Sequence, residues 1–459
     1  MSHHDSLAIT EPSGHVIAMT SRLEDTPSLA PLKAMIWLYF VLLLTEGALR
    51  KWFLPGFSDL LFVVRDPVVI IIYGLALQAR VFPLRIAIVS LGVIAFFSAL
   101  FSALGDAPPA VTLFGLRTNY LHLPLVFIMM QTLDRSDAIR FGRMMLIAAI
   151  PIFAIMLVQF QSSPDAWINA GAGGSDNGQI HGALGKIRPP GPFSFIDGVV
   201  SFFSLTTAFI YYGWIKQRVF GRLLLLLSTI VTVLAVPISI SRSLLMGVLI
   251  VLGFGLATSL KDMRTFSRFF PPLIIAGLCL LLVSETVYMK AFATRWDESM
   301  NAGHGTFYSN VVERIVGNYT ESIGLLDEAP LLGHGIGMGT LGGAHLMTGK
   351  ATFLLAESEL SRIVLELGPI LGAAFICWRL WLALNLVFGG WRHRTLTHDS
   401  LSWLIAGATC LGVISGQWGS STQLGFSVFG AGLAMAARNE PTPQTIENKE
   451  TEEEEPIPA

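Results

Sequence analysis

Apolar and polar positions segregate into long blocks along this chain. Apolar windows fall at 33–49, 60–79, 86–104, 111–131, 144–160, 194–214, 223–237, 243–260, 271–288, 359–388, 401–415 and 421–437. With its flanks, each supplies about 20 helical residues, the length that crosses a bilayer's hydrocarbon. A backbone in lipid must pair its own amides, and the alternating strands of a barrel are missing from the pattern, so the windows predict helices. The expected fold is an all-α integral membrane protein with about twelve transmembrane helices. Around these spans, residues 1–32 form an N-terminal tail, and 33–288 hold spans one to nine with a loop at 161–193. A large loop occupies 289–357, spans ten to twelve fill 358–437, and 438–459 is an acidic tail expected to be disordered.

Composition sharpens this picture. Of 459 residues, 53% are hydrophobic and only 14% charged, where a soluble domain has about a quarter charged. A soluble enzyme, a secreted disulfide scaffold and a disordered chain are excluded. Thirty Lys+Arg against 32 Asp+Glu give a net charge of −2, which offers no basic field to nucleic acid. Cys279, Cys377 and Cys410 lie inside apolar runs without metal-type spacing and are expected to be buried packing. The first apolar run has no small-residue cleavage site behind it, so no signal peptide is expected.

The positions of basic residues orient the spans. Arg80, Arg85, Arg135, Arg140, Arg143, Lys216, Arg218, Arg222, Lys261, Arg264, Arg268, Arg392 and Arg394 occupy alternate short loops, whereas the short loops between them hold Arg50, Lys51 and Arg242. Short basic loops stay in the cytoplasm, so both termini are expected inside and the long segments 161–193 and 289–357 outside. The first long segment, rich in Gly, Ser, Asn and Pro, reads as a binding loop. In the second, Val312, Ile315, Val316, Tyr319, Ile323 and Leu326 share a helical face that ends before Pro330. Long outer loops on a chain otherwise spent on spans are commonly functional.

Charged groups near the bilayer are costly and therefore candidates for function. Glu46, Arg50 and Lys51 (TEGALRKWFLPG), Arg65 and Asp66 (VVRDP) and Arg117 have two readings: a structural charge network between helices, or a site. On the expected outer side, Lys186 and Arg188 (KIRPPGPFSF), Arg242 (SISRSLL), Arg295 and Arg314 defy the positive-inside bias, which calls for an anionic partner. Arginine's planar fork of donors suits phosphate oxygens. Pairing with Asp197, Asp297 or Glu313 is the competing account, stronger for Arg314 than for Arg242, which has no acid near in sequence. In AESELSRIVLELGPIL, the spacing of Glu359, Arg362 and Glu366 predicts i,i+3 and i,i+4 pairs. That leaves Glu357 as a carboxylate suited to general-base work. His334 and His345 lie in the same loop and join the substrate-binding candidates with Lys186, Arg188, Arg314 and Arg50; none shows a metal-binding spacing. GHGIGMGTLGG lacks the GK[ST] of a phosphate-binding loop.

Three stretches carry a family likeness: RPPGPFSFIDGVVSFF, the Ser-Arg-Ser turn of SISRSLLMGVLI, and EAPLLGHGIGMGT followed by ELG-P-I-L at the start of span ten. In their order and loop placement, over about 180–380, the chain resembles the bacterial O-antigen ligase and polymerase superfamily, which includes exopolysaccharide polymerases. The resemblance implies a glycosyltransferase of the bacterial inner membrane. It would polymerise or ligate polyprenyl-diphosphate-linked glycan on the periplasmic face, without nucleotide, metal or other cofactor. Arg188 and Arg242 would hold the diphosphate, and proteins of polysaccharide export and chain-length control are expected partners. Many ligases of the family carry His nine positions before the Glu of ELG; here that position is Glu357. This departure weakens a ligase reading and suits a polymerase in which Glu357 deprotonates the acceptor hydroxyl. The alternative class is a secondary transporter or flippase for a glycan or anionic substrate, with its site at the bilayer midplane.

Overall fold

A computed structural model describes residues 28–440 except 106, 175–178, 260–265, 269, 303–316, 318 and 351. Arg314, the amphipathic positions 312–316, and residues 1–27 and 441–459 of the two tails lie outside the described residues. All twelve apolar windows fall on helices. The first eight main helices are α1 (Ala30–Phe53), α2 (Pro55–Gln78), α3 (Ile86–Leu104), α4 (Pro109–Thr132), α5 (Arg135–Gln161), α6 (Ile196–Ile215), α7 (Arg222–Ile238) and α8 (Arg242–Ser259). They are followed by α9 (Phe270–Val283), α10 (Val287–Ala302), α11 (Leu341–Thr348), α12 (Glu359–Thr397), α13 (Leu401–Ser415) and α14 (Ser421–Ala436). Eight of these are long and apolar enough to cross a membrane; α9 and α10, bent 95° against each other, bring the number to nine if counted as one broken span. The protein is an all-α, multi-pass membrane protein. Among the described residues the only β pairing is two isolated bridges, Gly171–Gly174 and His181–Ile187.

The apolar surface is distributed as lipid would dictate. Ile86, Val89, Val93, Phe96, Leu100 and Leu104 all lie exposed along α3, and α9 has no buried residue. At the centre, α6 and α14 are buried along nearly their whole lengths and α13 along most of its own. Exposed hydrocarbon outside and close packing inside is the pattern of a helix bundle solvated by lipid tails. Cys410 is buried as expected, but Cys279 is half-buried and Cys377 exposed.

Polar groups mark the two ends of the bundle. At one end the basic loops knit together: Arg135 pairs with Asp399 at 2.6 Å, Lys33 with Asp137 at 2.6 Å, Arg268 donates to the Ile215 carbonyl and Arg394 to that of Thr258. Asp134 caps α5, accepting from the amides of Ser136 and Asp137. The other end gathers the start of α6, α8, α12 and α14 and the finish of α1 and α13.

The described parts of the two long segments contain regular structure. Residues 180–188 form a small hairpin in which Gly182 N donates to Lys186 O and Arg188 N to Ile180 O. In the second segment, 319–324 is helical, but it buries Ser322 and leaves Ile323 62% exposed, so the anticipated apolar face is not the buried one there. Glycines of GHGIGMG bring backbones together. Gly333 (φ +73°) and Gly368 (φ +77°) meet where His334 N donates to Leu365 O and Gly335 N to Glu366 O. Gly368 also kinks α12 ahead of Pro369 and leaves no room for a Cβ against Leu331 O. With ψ 172° it occupies a region almost reserved for glycine. Gly368→Ala is expected to cost about 1–3 kcal/mol, read as a lowered melting temperature in detergent.

Candidate functional site

A cavity of about 990 Å³ opens between the helix ends gathered at the second pole. Arg188 and Arg242 both line it, and so does Glu357. Its walls run down α6 from Ile196 to Leu205, down α8 from Arg242 to Ile250, and up α13 from Gly407 to Ser415. By the helical rise this is a reach of about 13 Å into the bundle. Arg242 starts α8 directly after a turn in which Ile240 takes φ +48° and Ser241 Oγ accepts from Leu244 N at 3.4 Å. Glu357 is exposed in the segment leading into α12, and its carbonyl is held by Gln417 Nε2 at 3.0 Å.

The loop bearing Arg188 is fixed from below by α1. The apolar run of α1 ends in a π turn over Leu49–Phe53, which turns Arg50 and Lys51 inward; both are buried. Lys51 Nζ donates to Gly191 O at 2.6 Å, and Gln159 holds both the amide and the carbonyl of Gly191. Arg50 contacts Glu46, Ser58 and Ser194. Gly47 lies so close to Pro192 and Ser194 that no Cβ fits. Arg50, expected to touch substrate, therefore lies outside the cavity and clamps the loop instead. Lys51→Met should raise hydrogen exchange across 182–198 selectively, a change that mass spectrometry resolves by peptide.

Two buried charge clusters support the walls. In the first, Arg65 pairs with Glu46 at 2.9 Å and also donates to the Ser421 carbonyl, while Ser421 Oγ donates to Glu46 at 2.9 Å. Beside it Arg117 pairs with Asp66 at 2.7 Å, and His122 bridges Asp66 and Tyr39 at 3.0 and 3.1 Å. In the second, Arg362 joins Glu359 at 2.9 Å and Glu366 at 2.6 Å, and Asn119 accepts a further bond at 3.1 Å. Arg379 reaches the same Glu359 at 2.8 Å, donates to Val413 and Gly416, and lies over Trp418. The ion pairs expected of a structural network are present in both charged sets. Glu359 is at once part of this cluster and of the cavity wall.

Other expected site residues fall elsewhere. Lys186 lies over the Phe160 ring and does not line the cavity. His334 and His345 are exposed and do not line the cavity. Conversely, the wall includes groups that sequence reasoning passed over or weighed only as partners: Asp197, Ser201, Ser204, Trp296, Glu321 and Gln423. A signal was present. Asp197, Ser201 and Ser204 are spaced i, i+4 and i+7 in an otherwise apolar helix, and Gln423 and Ser427 are i, i+4 in another.

Compared with known proteins, the chain matches no family model and no curated sequence.

Proposed function

We propose that this protein is a bacterial inner-membrane glycosyltransferase that polymerises polyprenyl-diphosphate-linked glycan repeat units on the periplasmic face. The observation that carries the reading is the convergence of Arg188, Arg242 and Glu357 on one cavity that reaches into the bundle. In this reading all twelve helices that match the apolar windows are spans, with α9 and its bend serving as one. The end rich in short basic loops faces the cytoplasm with both termini, so the cavity opens to the periplasm.

Two guanidinium groups and the N-terminal ends of α6, α8 and α12, which carry partial positive charge, suit a diphosphate at the cavity mouth. The acceptor hydroxyl oxygen attacks the anomeric carbon while its proton passes to the Glu357 carboxylate. The bond from that carbon to the diphosphate oxygen breaks, and the leaving group departs with the electron pair into the field of Arg188 and Arg242. Attack opposite the leaving group inverts the anomeric centre. A flippase reading is less well supported, because the charged groups of α2 are paired to neighbouring helices and offer no open midplane site.

The test is reconstitution in liposomes with a lipid-linked repeat unit as sole substrate. Lipid-linked oligosaccharides longer than one repeat are the expected product. Transfer of the intact repeat across the bilayer with no new glycosidic bond would overturn the proposal.

A further inference from the structure

The last turns of α12 read WLALNLVFGGWRHR, and a second hollow of about 400 Å³ runs along them. Trp381, Leu384, Asn385, Phe388, Gly389 and Arg392 line it, and steps of three and four place them on one helical face. All but Gly389 are exposed, so the groove lies on the outside of the bundle. It belongs to the end where the basic loops knit together. Arg438 donates to the Asn385 and Leu386 carbonyls at 3.1 and 3.0 Å, and Asn439 donates to that of Leu133, two residues ahead of Arg135. Trp381 stacks with Phe127 of α4, before that helix ends at Thr132. The Trp381 end of the groove is therefore deeper in the bundle than the Arg392 end, about 16 Å away by the helical rise.

Two positive charges meet at the shallow end. A Cβ on Gly389 would overlap the Arg438 guanidinium, so the missing side chain lets that group lie against α12, and Arg392 follows at i+3, on the same helical face. Among the described residues neither arginine pairs with a carboxylate. Burial alone acts on Arg438, drawing its pKa down to about 10 and leaving it charged. Asn385 uses its carbonyl on Arg438, but its side-chain amide makes no hydrogen bond among the described residues, although it sits between exposed Leu384 and Phe388. An amide on a lipid-facing surface is costly unless something there bonds it.

We propose that this groove holds an anionic phospholipid of the adjoining leaflet, with its phosphate at Arg392 and Arg438 and an acyl chain along Phe388, Leu384 and Trp381. The inference stands apart from glycan transfer and needs only a chain that spans a membrane. Guanidinium groups match phosphate oxygens in geometry and charge, and arginines at a membrane surface gain from anionic lipid. The glycerol esters offer acceptors to the Asn385 amide. A free phosphate would use the arginines alone and leave the apolar floor of the groove uncovered. A lipid has its charge and its hydrocarbon in the order in which the groove runs.

Native mass spectrometry of the full-length protein in detergent tests this, with phosphatidylglycerol and phosphatidylcholine of identical chains as probes. Phosphatidylglycerol should bind at least about tenfold more tightly. Arg392→Gln should narrow that preference by about fivefold, with no change in lipid-free melting temperature, since the side chain is exposed. Arg80→Gln, an exposed arginine of another basic loop, should leave the preference intact. Phe388→Ala should weaken both lipids alike, and soluble glycerol phosphate should not displace either. Equal binding of the two lipids, or a preference untouched by Arg392→Gln, overturns the proposal. So does an equal loss in Arg80→Gln, which would mean diffuse surface charge, displacement by glycerol phosphate, which would mean a simple anion site, or a protein dimer in place of the lipid adduct.

Discussion

On the proposed function, Arg242→Ala is expected to lower glycan transfer by about 10²–10³-fold, the loss typical when one preorganised donor to a developing negative charge is removed. The guanidinium sits at the first residue of α8, so its charge adds to the helix's own N-terminal field. Both aim at the cavity mouth that Arg188 shares. Cells carrying the variant should accumulate lipid-linked single repeats and show a ladder collapsed to its shortest rungs. Arg242→Lys should recover part of the activity, because it restores charge without the planar fork. Glycan ladders indistinguishable from wild type in Arg242→Ala would remove this residue from the mechanism.

Arg362→Met is expected to destabilise the fold by about 3–5 kcal/mol, the usual cost of stripping one partner from a buried ion cluster. Arg362 is held by Glu359, Glu366 and Asn119, and all four residues are buried. Removing it strands Glu366 in the interior and leaves Glu359 with Arg379 alone. The damage should spread to the glycine turn, since Glu366 also accepts from Gly339 N at 2.8 Å. Thermal denaturation in detergent reads the effect directly. The paired change Arg362→Met with Glu366→Gln should recover a measurable part of the loss. If it recovers nothing, the stranded carboxylate is not the cause.

The helices were legible because lipid imposes one rule on every span, and a window such as 86–104 has no other way to satisfy its backbone. The pairing within Glu359, Arg362 and Glu366 was legible for a similar reason, as their spacing is a helical stripe. Arg379 was not, because its link to Glu359 across 20 residues of α12 depends on the break at Gly368 that turns the two parts of that helix toward each other. The same holds for Arg50. Its outward position along the chain suggested a ligand contact, but the π turn that ends α1 rotates it into the protein. Arg188 and Arg242 stood out because basic residues there oppose the positive-inside bias. Glu357 stood out as the acid left over once its neighbours were paired. Trp296 and Glu321 gave no such signal; the 95° bend between α9 and α10 precedes Trp296 in the chain, and no periodicity announces it.

The buried clusters also bear on how such a chain can change over time. Leucines on α9 and phenylalanines on α3 face outward and can drift among apolar residues at little cost. Glu46 and Arg65, or Glu359 with its two arginines, cannot move one at a time, since any single replacement leaves a charge marooned. Relatives of this protein should therefore vary freely on the membrane side yet exchange these interior residues only as matched sets, so that covariation between distant helices traces the scaffold around the cavity.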